Sequence, residues 1–223
     1  MEYIRPSLDH INSLVVSDYE QLTKSGWNQD FDLYVRRGGH FVIRLLQDCY
    51  AANGVRIPSY GVDSFRYTDL GEALQRPMIT LPTGVDFAGK SVLVVDDVAD
   101  EAATLIAIRD VIFERSGADV NLRFLTLYKK PWAKLVPDYW AEETDKWIIF
   151  PWEPYEILTQ IVKRKVAMGE LVTEIRNAGF DQGDLRSYLR VLRASRGKDP
   201  RVEAKIGEVL RLLEETGTLV RTV

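Results

Sequence analysis

The chain has one cysteine, Cys49, and two histidines, His10 and His40, among its 223 residues. A single thiol cannot close a disulfide within the chain, which points to a reducing, cytoplasmic setting. Two histidines exclude a histidine-rich metal centre. No apolar run reaches the roughly 18 residues of a membrane span, and Met1–Arg5 is not followed by the apolar stretch of a signal peptide. No membrane partner is expected. A net charge of −4 gives no general reason to expect binding to nucleic acid. Internal repeats and low-complexity segments are absent.

What is present suits one sizeable domain with a full core, plus an appendage. The richest segment runs from Val92 to Leu105. Four aliphatics, Val92 to Val95, lead into Asp96, Asp97, Asp100 and Glu101. A short apolar run of this kind suits a parallel strand buried on both faces. From Ala102 to Arg115 a helical spacing follows, with Leu105, Ile106, Ile108, Val111 and Ile112 on one stripe. The acids therefore fall at the carboxyl end of a strand, where open α/β sheets bind ligands. Asp96 and Asp97 suit ribose hydroxyls or a Mg²⁺ that keeps phosphate ligands. Asp100 suits a general base, and the amides of residues 100–104 suit an anion. Three other readings of the same residues stay open. The acids can cap the next helix. They can form a receiver-like acidic pocket. The Asp-Asp-x-x-Asp spacing also occurs on helices of prenyl-diphosphate enzymes, although the Val/Leu run favours a strand.

Other pieces carry chemistry. Phe31–Val35 reads as a strand that runs into Arg36-Arg37-Gly38-Gly39. Glycines allow an anion close to the backbone, and an arginine offers forked donors to phosphate. His40, next along, reads as a helix-start residue. Thr126–Tyr128 reads as a strand before Lys129-Lys130-Pro131. Asp138-Tyr139-Trp140 and Asp145–Glu153 are rich in aromatics. Cys49 lies in an apolar helical stretch, Phe41–Ala52, and reads as a core thiol rather than a nucleophile.

Taken together, in this order over about 120 residues, these pieces resemble the type I phosphoribosyltransferases. The family signature is a strand, Asp/Glu-Asp, two or three residues, then Thr-Gly-x-Thr. The Lys-Pro and Trp-Ile-x-x-Pro-Trp elements resemble the xanthine/guanine/hypoxanthine branch. The resemblance covers roughly residues 1–155. It implies a central parallel sheet flanked by helices, with a small hood. It also implies transfer of ribose 5-phosphate from phosphoribosyl diphosphate to a 6-oxopurine or related base, with Mg²⁺, in a homodimer or homotetramer. By the same resemblance, Asp96 and Asp97 hold the ribose hydroxyls and orient Mg²⁺, and Asp100 manages the proton on purine N7. Arg37, Gly38, Gly39 and Arg66 take the diphosphate. Asp100, Glu101, Ala102, Ala103 and Thr104 form the 5′-phosphate loop. Lys130 binds the 6-oxo group, Trp147 stacks on the base, and Ile148 contributes backbone to the hood. Tyr60–Thr83, a polar stretch, is expected to include the mobile cover.

The chain departs from the family at the phosphate loop. Glu101-Ala102 stands where relatives have Thr-Gly. A carboxylate about 4 Å from a phosphate is repelled by roughly 4 kcal/mol at an effective dielectric near 20. Three outcomes follow: Glu101 turns to solvent and catalysis continues, the site takes another phosphorylated ligand, or the domain binds and regulates without turnover.

The division expected is residues 1–153 for the phosphoribosyltransferase-like domain and hood, and 154–223 for a helical extension. The extension reads as three helices. One begins at Pro154 and runs towards Gly179, and the others are Asp184–Ala194 and Val202–Glu215. Thr218–Val223 reads as a short strand or tail. The extension carries 13 Lys/Arg and 10 Asp/Glu, about +3, which leaves about −7 for the rest. Arg186, Arg190 and Arg193 share one face. Helices of alternating sign are usually solvated surfaces, so packing or dimerisation is expected first, a lid or allosteric element next, and nucleic-acid binding last.

Overall fold

The structure is a computed structural model that describes residues 2–67, 73–117, 119–164, 166–194 and 200–215, without the side chains of 66, 67 and 73–75. The chain forms two compact units, Leu8–Asp145, and Met1–Ser7 together with Lys146–Val223. The division falls at 145/146 rather than at the expected 153/154, and the first seven residues join the helical unit.

The larger unit is built on a six-stranded sheet in the order β4-β3-β2-β5-β6-β7. These strands are β2 (Phe31–Val35), β3 (Ser59–Tyr67), β4 (Ala73–Thr80), β5 (Ser91–Ala99), β6 (Asn121–Lys129) and β7 (Tyr139–Glu143). All neighbours are parallel except β3 and β4, which pair antiparallel. The helices of this unit are α1 (Leu8–Lys24), α2 (Gly38–Ala52) and α3 (Ala103–Ser116). The expected α/β sheet is therefore present. One core gathers Phe31, Leu33 and Val35 of β2, Val92 and Val94 of β5, and Leu105, Ile108 and Ile112 of α3. These are alternate residues of each strand and one stripe of the helix, so periods of two and 3.6 meet in one layer. Cys49, on α2, is half-buried rather than core, and partial burial pushes its thiol pKa up, which disfavours the thiolate.

Two expectations change here. β5 does not stop at the acids: it runs to Ala99, with Asp96 opposite Thr126 and Ala99 opposite Lys129. The neighbouring β6 supplies ladder partners past the aliphatic run, so pairing outlasts the hydrophobic signal. Tyr60–Thr83 is not a polar loop either. Most of it is the β3–β4 antiparallel pair, in register from Asp63–Thr80 to Phe65–Met78. Residues 68–72, between the two strands in sequence, lie outside the described residues.

In the second unit β1 (Tyr3–Ile4) pairs parallel with β8 (Trp147–Ile148). Four helices follow: α4 (Pro154–Lys163), α5 (Met168–Asn177), α6 (Gln182–Ala194) and α7 (Pro200–Glu215). The single periodic stretch expected from Pro154 to Gly179 is thus two helices. Arg164 and Ala167 are extended (ψ 143° and 151°) and break the helical ladder between them. The apolar spacing survives the break because both helices face one core, which includes Leu158, Ile161, Leu171, Ile175, Leu185, Ile206 and Val209. The segment 218–223 lies outside the described residues. Arg186 pairs with Glu214 (2.8 Å) and Arg193 with Glu203 (2.8 Å), so two of the three face-sharing arginines bind carboxylates of α7.

Candidate active site

Strand order places the site. From β2 the chain crosses through α2 to β3 on one side, and from β5 it crosses through α3 to β6 on the other. The crevice between the carboxyl ends of β2 and β5 is therefore the switch point of the sheet, the position where such sheets bind ligands. The two sequences that meet there are Arg37-Gly38-Gly39 and Asp96–Thr104.

They meet without room to spare. A Cβ on Gly38 would overlap the Asp97 carboxylate, and one on Gly39 would overlap the Val95 carbonyl oxygen and lie 3.2 Å from Asp96 Cα. The glycines are thus dictated by close approach of the first turn of α2 to β5, a demand that spacing alone does not reveal. Arg37 takes φ 81° and ψ −94° directly before that helix. A side-chain residue in such a region costs about 1–3 kcal/mol, and this kind of strain gathers at ligand sites. Asp97 is buried, Asp96 is half-buried, and the Asp97 amide donates to Asp96 Oδ1 at 3.0 Å. His40 sits in the first turn of α2, its ring edge-on to Tyr34.

Third into the crevice comes the end of β6. The Lys130 amide donates to the Ala99 carbonyl at 2.9 Å, which ties the residue after β6 to the last residue of β5. Lys129 is buried and paired with Glu143. Lys130 is buried too. Burial pushes its pKa down, while the Asp100 and Asp145 carboxylates oppose that shift. Its ammonium lies 5.7 Å from the centre of the Trp132 ring.

A profile of the phosphoribosyl transferase domain matches residues 42–156, about half the chain. The chain belongs to the phosphoribosyl transferase domain family. Among solved structures it is similar to a purine phosphoribosyltransferase from Pyrococcus horikoshii Ot3, at 29% identity and TM-score 0.55 over 68% of this chain and 94% of that one. It is also similar to the xanthine-guanine-hypoxanthine phosphoribosyltransferase of Helicobacter pylori, at 22% identity and TM-score 0.57 over 71% and 99%. A Neisseria gonorrhoeae protein with bound ppGpp matches at 23% identity and TM-score 0.54 over 69% and 90%. The last two likenesses bear on fold alone.

The segment 100–104, which the resemblance assigns to a 5′-phosphate, has a definite shape. Ala102 adopts the left-handed conformation, φ 58° and ψ 21°, at the N-cap of α3. The loop keeps the backbone angle that glycine adopts freely, at a cost of roughly 1–2 kcal/mol for a residue with a Cβ. Glu101 is exposed and reaches Lys134 at 3.1 Å, so its charge is turned to a cation of the loop after β6. Ala102 and Thr104 are buried, and Ala103 is half-buried in the first turn. Asp100 Oδ1 accepts a hydrogen bond from Trp132 Nε1 at 2.8 Å.

Trp132 and Lys134 are residues that sequence reasoning missed. Their only signal was a place two and four residues beyond Lys130, in a turn no periodicity describes. The side chain of Arg66, on β3, lies outside the described residues. Trp147 and Ile148 belong to the helical unit, where Trp147 is exposed and Ile148 buried on β8. Their assignment to a base stands on the resemblance alone. Among the described residues no cluster of three His, Cys, Asp or Glu forms a cation cage. Asp96 and Asp97 instead offer hard oxygens at a crevice, the donor set for a Mg²⁺ completed by phosphate and water.

Proposed function

We propose that this phosphoribosyl transferase domain moves ribose 5-phosphate from phosphoribosyl diphosphate to a 6-oxopurine or related base, releasing diphosphate. The observation that carries this reading is the fit of Gly38 and Gly39 against Asp97 and Val95, with Arg37 strained beside them at the switch point. That arrangement sets donors for an anion next to acceptors for a sugar. In the reaction a base nitrogen bonds to C1′, the bond from C1′ to the diphosphate oxygen breaks, and the base loses a proton. The transition state has oxocarbenium character, so charge placement and alignment dominate.

Asp96 and Asp97 orient the ribose hydroxyls and hold Mg²⁺ through the ligand. When bound, that ion neutralises diphosphate charge. Arg37 and the Gly38 and Gly39 amides receive the diphosphate, with Arg66 as a further donor. Lys130 donates to the 6-oxo group and Asp100 takes up the proton at N7. Amides of residues 100–104 and the Thr104 hydroxyl receive the 5′-phosphate. Trp147 and Ile148 serve the base, and the chain works in the cytoplasm as a dimer or tetramer.

The test is a panel of guanine, xanthine and hypoxanthine with phosphoribosyl diphosphate and Mg²⁺, read as diphosphate release. Turnover of one base supports the reading. No binding of phosphoribosyl diphosphate at millimolar concentration sinks it. A second reading, a nucleotide-binding regulator acting through its helical tail, is favoured by Glu101 at the threonine position. It predicts ligand binding with no diphosphate release. The Glu101–Lys134 pair weighs for the enzyme, because it draws the offending charge to a cation.

A further inference from the structure

Three of the residues beyond β6, Lys130, Trp132 and Lys134, reach back to the end of β5 and the loop that follows it. The turn itself is fixed: Lys130 N–H is bonded to Ala99 O at 2.9 Å, and Ala133 N–H to Lys130 O at 3.1 Å. From this turn Trp132 Nε1 donates to Asp100 Oδ1 at 2.8 Å, and Lys134 Nζ meets Glu101 Oε2 at 3.1 Å. The same indole presents its ring to the Lys130 ammonium, 5.7 Å from the centroid. One side chain thereby touches both groups proposed to handle the base, the acid through its N–H and the lysine through its ring. Trp132 is 51% exposed, so core packing does not account for its placement. An indole N–H is a donor only, so it suits an ionised carboxylate oxygen and leaves the second oxygen for a base proton. A ring face suits an ammonium.

We infer that Trp132 is a positioning residue of the transfer reaction: its indole holds the Asp100 carboxylate and the Lys130 ammonium in the geometry that reads the base, and Lys134 steadies the same loop by drawing off Glu101. The inference rests on the proposed role of Asp100 in base proton transfer. A carboxylate that must meet one base nitrogen gains from a fixed orientation, since small misplacement of a catalytic group costs orders of magnitude in rate.

Trp132→Phe keeps a ring for Lys130 and removes the donor. The expected result is a kcat reduced about tenfold, a part of the roughly 10²–10⁴-fold that a positioned general acid–base group supplies, with KM for phosphoribosyl diphosphate within about twofold. Trp132→Gln, which restores an N–H donor, is expected to recover part of kcat. In an Asp100→Asn background Trp132→Phe is expected to add nothing, because groups acting as one unit are non-additive. The contact is read independently by the ¹⁵N-indole resonance of Trp132, which is expected to move in Asp100→Ala and to stay in place in a variant of a carboxylate remote from Trp132. A kcat unchanged in Trp132→Phe while Asp100→Asn is inactive overturns the inference and spares the role of Asp100. Additive losses overturn it as well. Full activity in Asp100→Asn overturns both.

Discussion

The two units bury different things. In the helical unit the buried side chains among the described residues are apolar, Tyr188 alone bringing a hydroxyl, which meets Thr159. In the sheet unit Asp18, Asp32, Asp97, Thr104, Thr126, Lys129 and Lys130 are all buried. The two non-glycine residues with positive φ among the described ones, Arg37 and Ala102, are also in the sheet unit. Burying charge and holding strained backbone both cost free energy. The helical unit avoids both among its described residues, and the sheet unit accepts them, in part at the crevice where its loops meet. Asp97, Lys130, Arg37 and Ala102 lie at the switch point. Asp18 and Asp32 do not, and each has a buried oxygen, Oδ2, without a hydrogen-bond partner.

Glycine substitution breaks this contrast most sharply. Gly39→Ala would drive a methyl into the Val95 carbonyl, which cannot swing aside as a side chain would. The expected loss is about 3 kcal/mol of stability, the upper range for overpacking, with at least about a hundredfold in kcat/KM. Urea denaturation and steady-state assays check it.

The buried acids come next. Burial raises the pKa of Asp32 from 3.8 to about 7 and that of Asp18 to about 8, and the Gln29 hydrogen bond to Asp32 only partly offsets this. The folded state then holds protons that the unfolded state releases, so stability is fullest below about pH 4 as far as these groups are concerned. It falls as pH rises through 7 to 8. Asp32→Asn keeps an acceptor for Gln29 and removes the charge. It is expected to stabilise the protein by about 2 kcal/mol at pH 8 and little at pH 4, read from denaturation midpoints at both. A gain equal at the two pH values refutes the assignment.

Ala102→Gly should relieve left-handed strain and lose some of that gain to glycine's extra freedom when unfolded. A net gain of about 0.5–1 kcal/mol follows, a rise of roughly 1–4 °C in Tm. Paired with Glu101→Thr it restores the family loop. Raised affinity for phosphoribosyl diphosphate would show that the rewritten loop limits binding, and unchanged kinetics that it does not. Smallest is Gly207→Ala on α7, where a Cβ meets nothing within 4 Å. It should stabilise by about 0.5–1 kcal/mol with kcat/KM unchanged, as expected where glycine serves no close approach.

Much of the site was legible because its residues sit in short runs. Val92–Asp97 announced a strand and its acids, and Arg37-Gly38-Gly39 announced a loop that comes close to β5. Pairing carried β5 to Ala99 where hydrophobicity stopped at Val95, and a break at Arg164–Ala167 left no mark on the apolar spacing. Trp132 was illegible because a turn has no period, and its two partners come from Asp100, far along the chain, and Lys130.

The sequence by itself determined the α/β order, the family and which residues stand at the strand ends, since those follow from local patterns of two and 3.6 residues and from fixed short motifs. Only tertiary structure decided where Glu101 sends its charge, that Ala102 bends as a glycine would, and that Trp132 holds Asp100. The first and last depend on side chains that the fold brings together at 3.1 and 2.8 Å, and the second on the backbone turn into α3, and no local pattern encodes either.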